Sequence, residues 1–267
     1  MASHGIRGCA VLGTIESLPA AALLSGSFRV TATPEPAADP ELEGLAAVDD
    51  EGFTLARNAE QLAKLRDELG GSPAAVAADV ADPVVAGTLL EQYRPKTVVL
   101  NAGAPPLMRP LQHHTWDTFS RNWEVDVQQA FHWLREALLL PLAPQSTVIA
   151  MSSGAALQGS PLSGDYAGAK ATIRFIAGYA ADESLRAGLG IRFISVLPKL
   201  TPATDLGAAA AAAYARRDGL DADEYLKQLG PALATEHVGK HIADLASSTD
   251  HLPGAYRLTP DGLSSLP

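Results

Sequence analysis

Residues Thr147 to Lys170 read TVIAMSSGAALQGSPLSGDYAGAK, a β-type apolar run, then a polar loop, then a stretch that can start a helix. If the segment after Asp165 is helical, Tyr166 and Lys170 are four residues apart and lie one above the other on the same face. That spacing sets an ammonium beside a phenol, and a nearby positive charge favours the ionised phenol. Tyr166 is then a candidate general acid or base. Ser153, just past the run Thr147 to Met151, is a candidate to hydrogen-bond a substrate oxygen that exchanges its proton with Tyr166.

Working outward, strand and helix patterns alternate. Upstream, Cys9 to Leu12 (CAVL) reads as a buried first strand and Gly52 to Asn58 as a second that leads into a helix. That helix is predicted from Asn58 as its cap, with Leu62, Leu65 and Leu69 on one face and Gly70-Gly71 at its end. Pro73 to Asp79 is a weak third strand, Asp82-Pro83 opens another helix, and Thr97 to Asn101 (TVVLN) is a buried strand. One long helix is expected over Thr115 to Leu140, stopped by Pro141. Downstream, the Tyr166 helix runs to about Ala187, Ile191 to Leu197 (IRFISVL) is a strand, Thr235 to Ala246 a helix and Ala255 to Thr259 a last strand. Such alternation implies an α/β fold, a doubly wound parallel sheet in three α/β/α layers. Ligands bind such sheets beyond the carboxyl ends of the strands, where Asp79, Asn101, Ser153 and Pro198 converge.

Ser153, Tyr166-x-x-x-Lys170 and Asn101-Ala102-Gly103, in this order along the chain, resemble the short-chain dehydrogenase/reductase family from about Gly52 to Gly262. The resemblance implies a Rossmann-like fold and reversible hydride transfer between NADP or NAD and a carbonyl or alcohol on a small molecule. It implies that Tyr166 exchanges the hydroxyl proton, Ser153 orients the substrate oxygen, and Lys170 assists the tyrosine and holds the cofactor ribose. Asp79-Val80 then contacts adenine, or Asp79 simply caps a turn; Asn101, Ala102 and Gly103 line the cofactor, or form a tight turn. Arg57, after the second strand, suits a 2′-phosphate and favours NADP.

Several positions depart from the family pattern. Counting from Gly13, the glycine-rich phosphate turn has Ser17 and Pro19 where glycines are usual. A serine adds a Cβ where phosphate would approach, and proline removes an amide donor. Gly26 to Thr33 is a possible extra strand, and the acidic, proline-rich stretch that follows it marks residues 14–51 as divergent or altered in frame. Asp126 stands where the family has a relay asparagine, and Gln129 where it has a glycine; Asp126 is either that altered relay member or an ordinary helix-face carboxylate. Pro198 matches, but Lys199 replaces the next glycine and Thr201 is out of register with the family threonine. Residues 204–230 read as substrate-covering helices or as a solvated hairpin. These departures leave two alternatives open: cofactor-free proton chemistry on the same scaffold (a cyclase, isomerase or dehydratase), or a catalytically silent binding subunit.

Composition narrows the class. At 267 residues a single α/β domain is the expectation. Twenty basic against thirty acidic residues give a net charge of −10, which argues against nucleic acid or an anionic membrane as partner. A lone cysteine, Cys9, excludes an internal disulfide. With no apolar run of about 18 residues and no secretory leader pattern, a cytoplasmic protein is expected. His113-His114 sit before a helix and no metal site is expected. By resemblance, a homodimer or homotetramer forms through the two long helices.

Overall fold

The computed structural model describes residues 9–12, 53–68, 74–247 and 253–267. Gly13, Ser17, Pro19 and the possible strand Gly26 to Thr33 lie outside the described residues. Among the described residues eight strands form one sheet: β1 (Cys9–Leu12), β2 (Phe53–Ala56), β3 (Ala74–Ala77), β4 (Thr97–Leu100), β5 (Thr147–Met151), β6 (Arg192–Pro198), β7 (Gly254–Thr259) and β8 (Gly262–Leu266). Their order is β3-β2-β1-β4-β5-β6-β7-β8. All pairs are parallel except β7 with β8, which is antiparallel. The order reverses between β1 and β4, and the carboxyl ends of β1 to β7 share one edge, as a doubly wound sheet requires.

The central strands are apolar on both faces because helices cover both. Val98, Val148 and Phe193 lie abreast in β4, β5 and β6. They pack with α2 (Pro83–Tyr93), α4 (Gln128–Leu139) and α6 (Gly164–Arg186) through Leu89, Trp133 and Ile173. The alternate residues Val99, Ile149 and Ile194 face the other way, onto Val238, Ile242 and Leu245 of α9 (Thr235–Ser247). Strand period 2 thus sorts one apolar run into two cores. Trp133 is fully buried and its indole N–H donates to the Val80 carbonyl at 3.0 Å, which ties α4 to the turn after β3.

Most expected elements form, with α1 at Ala59–Glu68, α2 capped by the Asp82 side chain at 2.8 Å from Val84 N, and Leu62 buried. The single helix expected over Thr115 to Leu140 is corrected. It consists of α3 (Trp116–Asn122), a π-helical turn (Trp123–Val127) and α4. Thr115 caps α3 in a box with Thr118. The widened turn carries Asp126, which has no exposed surface and turns toward the sheet edge. Three elements were not expected from the sequence: a 3-10 turn at Leu111–His113, the one-turn helix α5 (Ala155–Gln158), within the loop after Ser153, and β8. Residues 204–230 fold as α7 (Asp205–Asp218) and α8 (Ala222–Gln228).

Candidate active site

The strand β5 ends at Met151 and α6 begins at Gly164, so the Ser153 loop and the Tyr166 helix meet at the carboxyl edge of the sheet. Ser152, 5% exposed, anchors the junction: its hydroxyl donates to the Lys170 carbonyl at 2.6 Å. Ser153 is half-buried, and its Oγ accepts from Ala155 N at 3.2 Å. Gly154 N donates to the Pro198 carbonyl at 2.9 Å, joining the Ser153 loop to the end of β6.

Lys170 is buried to 5% exposure, a rare state for a lysine without partners. Its Nζ donates to the Met151 carbonyl at 3.1 Å, lies 3.3 Å from Asp126 Oδ2, and sits 5.5 Å from the centre of the Tyr166 ring. Burial disfavours the ammonium, but the charges of Asp126 and Tyr166 and the hydrogen bond to Asp126 outweigh it. The net effect holds Lys170 above the ordinary lysine value. The expected stacking of Tyr166 and Lys170 on one helical face is therefore present, with the lysine's charge answered by a carboxylate 44 residues upstream.

Asp126 is held in turn. Its Oδ1 accepts from Ala104 N at 2.8 Å and from Asn122 Nδ2 at 3.4 Å, while the same Asn122 amide donates to the Ala104 carbonyl at 2.7 Å. Gly103 lies directly beneath the carboxylate: a Cβ there would be 2.9 Å from Oδ2. The glycine of Asn101-Ala-Gly thus has a packing reason in this chain, close approach to Asp126. Asn122 and Ala104 were missed from sequence. Asn122 stands four residues before Asp126 on a helix, and that spacing is the signal that could have found it.

The structure brings Asp126, Gly103, Lys170 and Tyr166 together, with Ser153 and Pro198 joined through Gly154. Ala102 is buried and Asn101 half-buried at the end of β4. Arg57 is exposed past β2. Asp79 is exposed and accepts from Ala81 N at 3.0 Å, the turn-capping alternative, while Val80 is buried beside Trp133. The Thr201 hydroxyl donates to the Lys199 carbonyl at 3.2 Å, and its own carbonyl accepts from the Thr204 amide and hydroxyl at 3.1 and 2.9 Å. Thr201 so builds the turn into α7. Lys199 points elsewhere, donating to the carbonyls of Leu229 and Pro231 at 2.7 and 3.3 Å, where it caps the end of α8.

The described residues fit a nicotinamide dinucleotide at this edge in one specific respect. An ammonium has three donors, and Met151 and Asp126 leave Lys170 capacity for one more acceptor. The glycine-rich turn, at Gly13, lies outside the described residues.

A family model described as Enoyl-(Acyl carrier protein) reductase matches residues 52–252. No curated protein matches the chain. Among solved structures, an NAD+-bound xylitol dehydrogenase superposes with a TM-score of 0.75 at 16% identity, covering 96% of this chain and 99% of that one. A 3-ketoacyl-(acyl-carrier-protein) reductase from Brucella melitensis, complexed with NADH, gives 0.69 at 15% identity, covering 94% and 96%. A glucose/ribitol dehydrogenase of the short-chain type from Brucella melitensis gives 0.70 at 17%, covering 96% and 97%. At such identities the structural likeness speaks for the fold. The family model, which takes in most of the chain, settles the lineage: this protein belongs to the short-chain dehydrogenase/reductase family.

Proposed function

We propose that the chain is a single-domain NAD(P)(H)-dependent oxidoreductase that interconverts a carbonyl and an alcohol on a small molecule. The observation that carries the proposal is Lys170: a buried ammonium fixed between the Met151 carbonyl and Asp126, with the Tyr166 ring beside it. In this reading Tyr166 gives its hydroxyl proton to the substrate oxygen on reduction and takes it back on oxidation. Ser153 hydrogen-bonds the same oxygen and orients it. Lys170 holds positive charge next to the phenol and offers its remaining donor to the ribose of the dinucleotide. Gly103, Ala102 and Asn101 line the cofactor side, with Val80 and Asp79 near the adenine, Pro198 and Thr201 toward the nicotinamide end, and Gly13 at the phosphates. When bound, the nicotinamide supplies or accepts the hydride.

The solved relatives bound to NAD+ and NADH support a dinucleotide, and Arg57, exposed past β2, supports NADP(H) over NAD(H). A second reading, cofactor-free proton chemistry, is favoured by Ser17 and Pro19 in the glycine turn. Titrating the purified protein with NADPH and NADH, followed by calorimetry or nucleotide fluorescence, separates the two. Binding of either is expected. Folded protein that binds neither overturns the oxidoreductase reading. With cofactor bound, Tyr166→Phe is expected to abolish turnover and leave binding intact; undiminished turnover would refute the role given to Tyr166.

A further inference from the structure

On the face of the sheet opposite α6, α9 carries two histidines, His237 and His241, four residues apart and hence on one side of the helix. Their Nε2 atoms are 3.0 Å apart, with ring centres at 4.5 Å and ring planes at 63°. Both rings are half-buried. Val238, Ile242 and Leu245 anchor the inner stripe of α9 in the core, which fixes the backbone from which the two rings project. The turn between β7 and β8 backs one of them: a Cβ on Gly262 would lie 3.8 Å from the His241 ring.

We propose that His237 and His241 form a bidentate site for a cupric or nickel ion, with water completing the coordination. Imidazole nitrogens bind first-row divalent cations at about 2.0–2.1 Å. Two such bonds whose nitrogens stand 3.0 Å apart meet at an angle of roughly 94°. A tetrahedral ion would ask for a separation of about 3.4 Å, whereas a tetragonal one asks for adjacent ligands near a right angle. The bite therefore suits Cu(II) or Ni(II) ahead of Zn(II). As the pair stands, one Nε2–H donates to the other ring's Nε2. On binding, the donor ring gives up its Nε2 proton, because a ligating imidazole is neutral at the nitrogen that binds, and both Nε2 lone pairs turn to the metal. The backbone of α9, anchored in the core by Val238, Ile242 and Leu245, holds the two rings close enough that rotation of the side chains alone brings both lone pairs to one ion, which lowers the ordering cost of chelation. Spacing of i and i+4 on one helix is what brings His237 and His241 together.

The test titrates CuCl2 and NiCl2 separately into the untagged full chain in a non-coordinating buffer, by calorimetry, with electron paramagnetic resonance on the cupric form. One tight equivalent is expected, with a tetragonal signal split by two imidazole nitrogens. His237→Gln and His241→Gln, which keep polar side chains on α9, are each expected to weaken binding by at least about ten-fold, the low end of what losing even an outer partner costs a metal site. His113→Ala should bind as the native chain does. Nickel should also raise the melting temperature of the native chain and not of either glutamine variant, since an ion that binds only the folded state stabilises it. Failure of the native chain to bind, or unchanged affinity in His241→Gln, overturns the proposal. It stands apart from the oxidoreductase reading, because none of these measurements involves turnover or a dinucleotide.

Discussion

Asp126 and Lys170 form a buried pair, and the two ways of breaking it should behave differently. Asp126→Ala leaves the ammonium in place with no charge partner, a change that typically costs about 3–5 kcal/mol. Asp126→Asn keeps an oxygen for the Ala104 amide and loses only the charge, so it should unfold at a higher denaturant midpoint than the alanine variant. The pH dependence has a definite sign. Because Lys170 is held above the ordinary lysine value of about 10.4, its contribution is complete below that pH and is lost as the pH rises through the folded value. In Asp126→Asn the main opposing charge is gone and burial again disfavours the ammonium, so the alkaline fall in melting temperature that Lys170 contributes should be smaller than in the native chain. Superimposable curves between about pH 8 and 11 would refute the pairing. The Tyr166 and Lys170 relation was legible because it depends only on helical period. Asp126 was named only through the family resemblance, as an altered relay member, and its direct pairing with Lys170 was not legible, because a contact between α6 and the turn before α4 depends on how two helices pack.

At the scale of elements, α7 and α8 are tied down by specific polar contacts. The Tyr214 hydroxyl meets Ser160 Oγ at 2.6 Å and accepts from Leu162 N at 3.1 Å, and its ring stacks on Tyr225 with centres 6.2 Å apart. Thr204 caps the start of α7, where a Cβ on Gly207 would fall 2.0 Å from the Thr201 carbonyl, so only glycine fits that turn. Tyr214 therefore latches α7 and α8 onto the loop that enters the Tyr166 helix. Tyr214→Phe removes both contacts and leaves the Leu162 amide without this acceptor, a loss expected to cost about 1–3 kcal/mol. Hydrogen exchange should quicken at Leu162 and along α7, and KM for the substrate should rise more than kcat falls. Unchanged exchange at Leu162 would remove the latch. The helices of 204–230 were legible from alanine content and from their place in the family pattern, whereas the latch was not, since serine and tyrosine 54 residues apart carry no periodic mark. The π-helical turn was equally silent: its residues, WEVDV, include no proline or glycine to mark a break, and the turn they form holds Asp126 fully buried.

At the scale of the molecule, the parallel doubly wound sheet followed from apolar runs alternating with helices, because each parallel crossover brings a helix over the sheet, whereas the order of the strands carries no mark in that alternation. β8 escaped because GLSSL is short and polar, an edge strand that β7 recruits by hairpin pairing alone. The two longest helical stretches also leave large apolar side chains in water: Phe131 and Leu139 on α4, and Phe175, Tyr179 and Leu185 on α6. Phe175 and Tyr179 are one turn apart and share a face. Single exposed apolar residues are ordinary, but aromatics at the surface of two adjoining helices are the place where a subunit contact is to be tested. The helices are those through which the family resemblance places subunit contacts, and a second copy of this chain is the partner that matches the patch with itself. Light scattering on the purified chain should give a dimer or tetramer at micromolar concentration. Phe175→Glu with Tyr179→Glu places two carboxylates at the centre of that surface and should yield a folded monomer, since burying unpaired charge costs more than the interface returns. A native chain that runs as a monomer, or a double variant that keeps the native mass, would show that these aromatics do not join subunits.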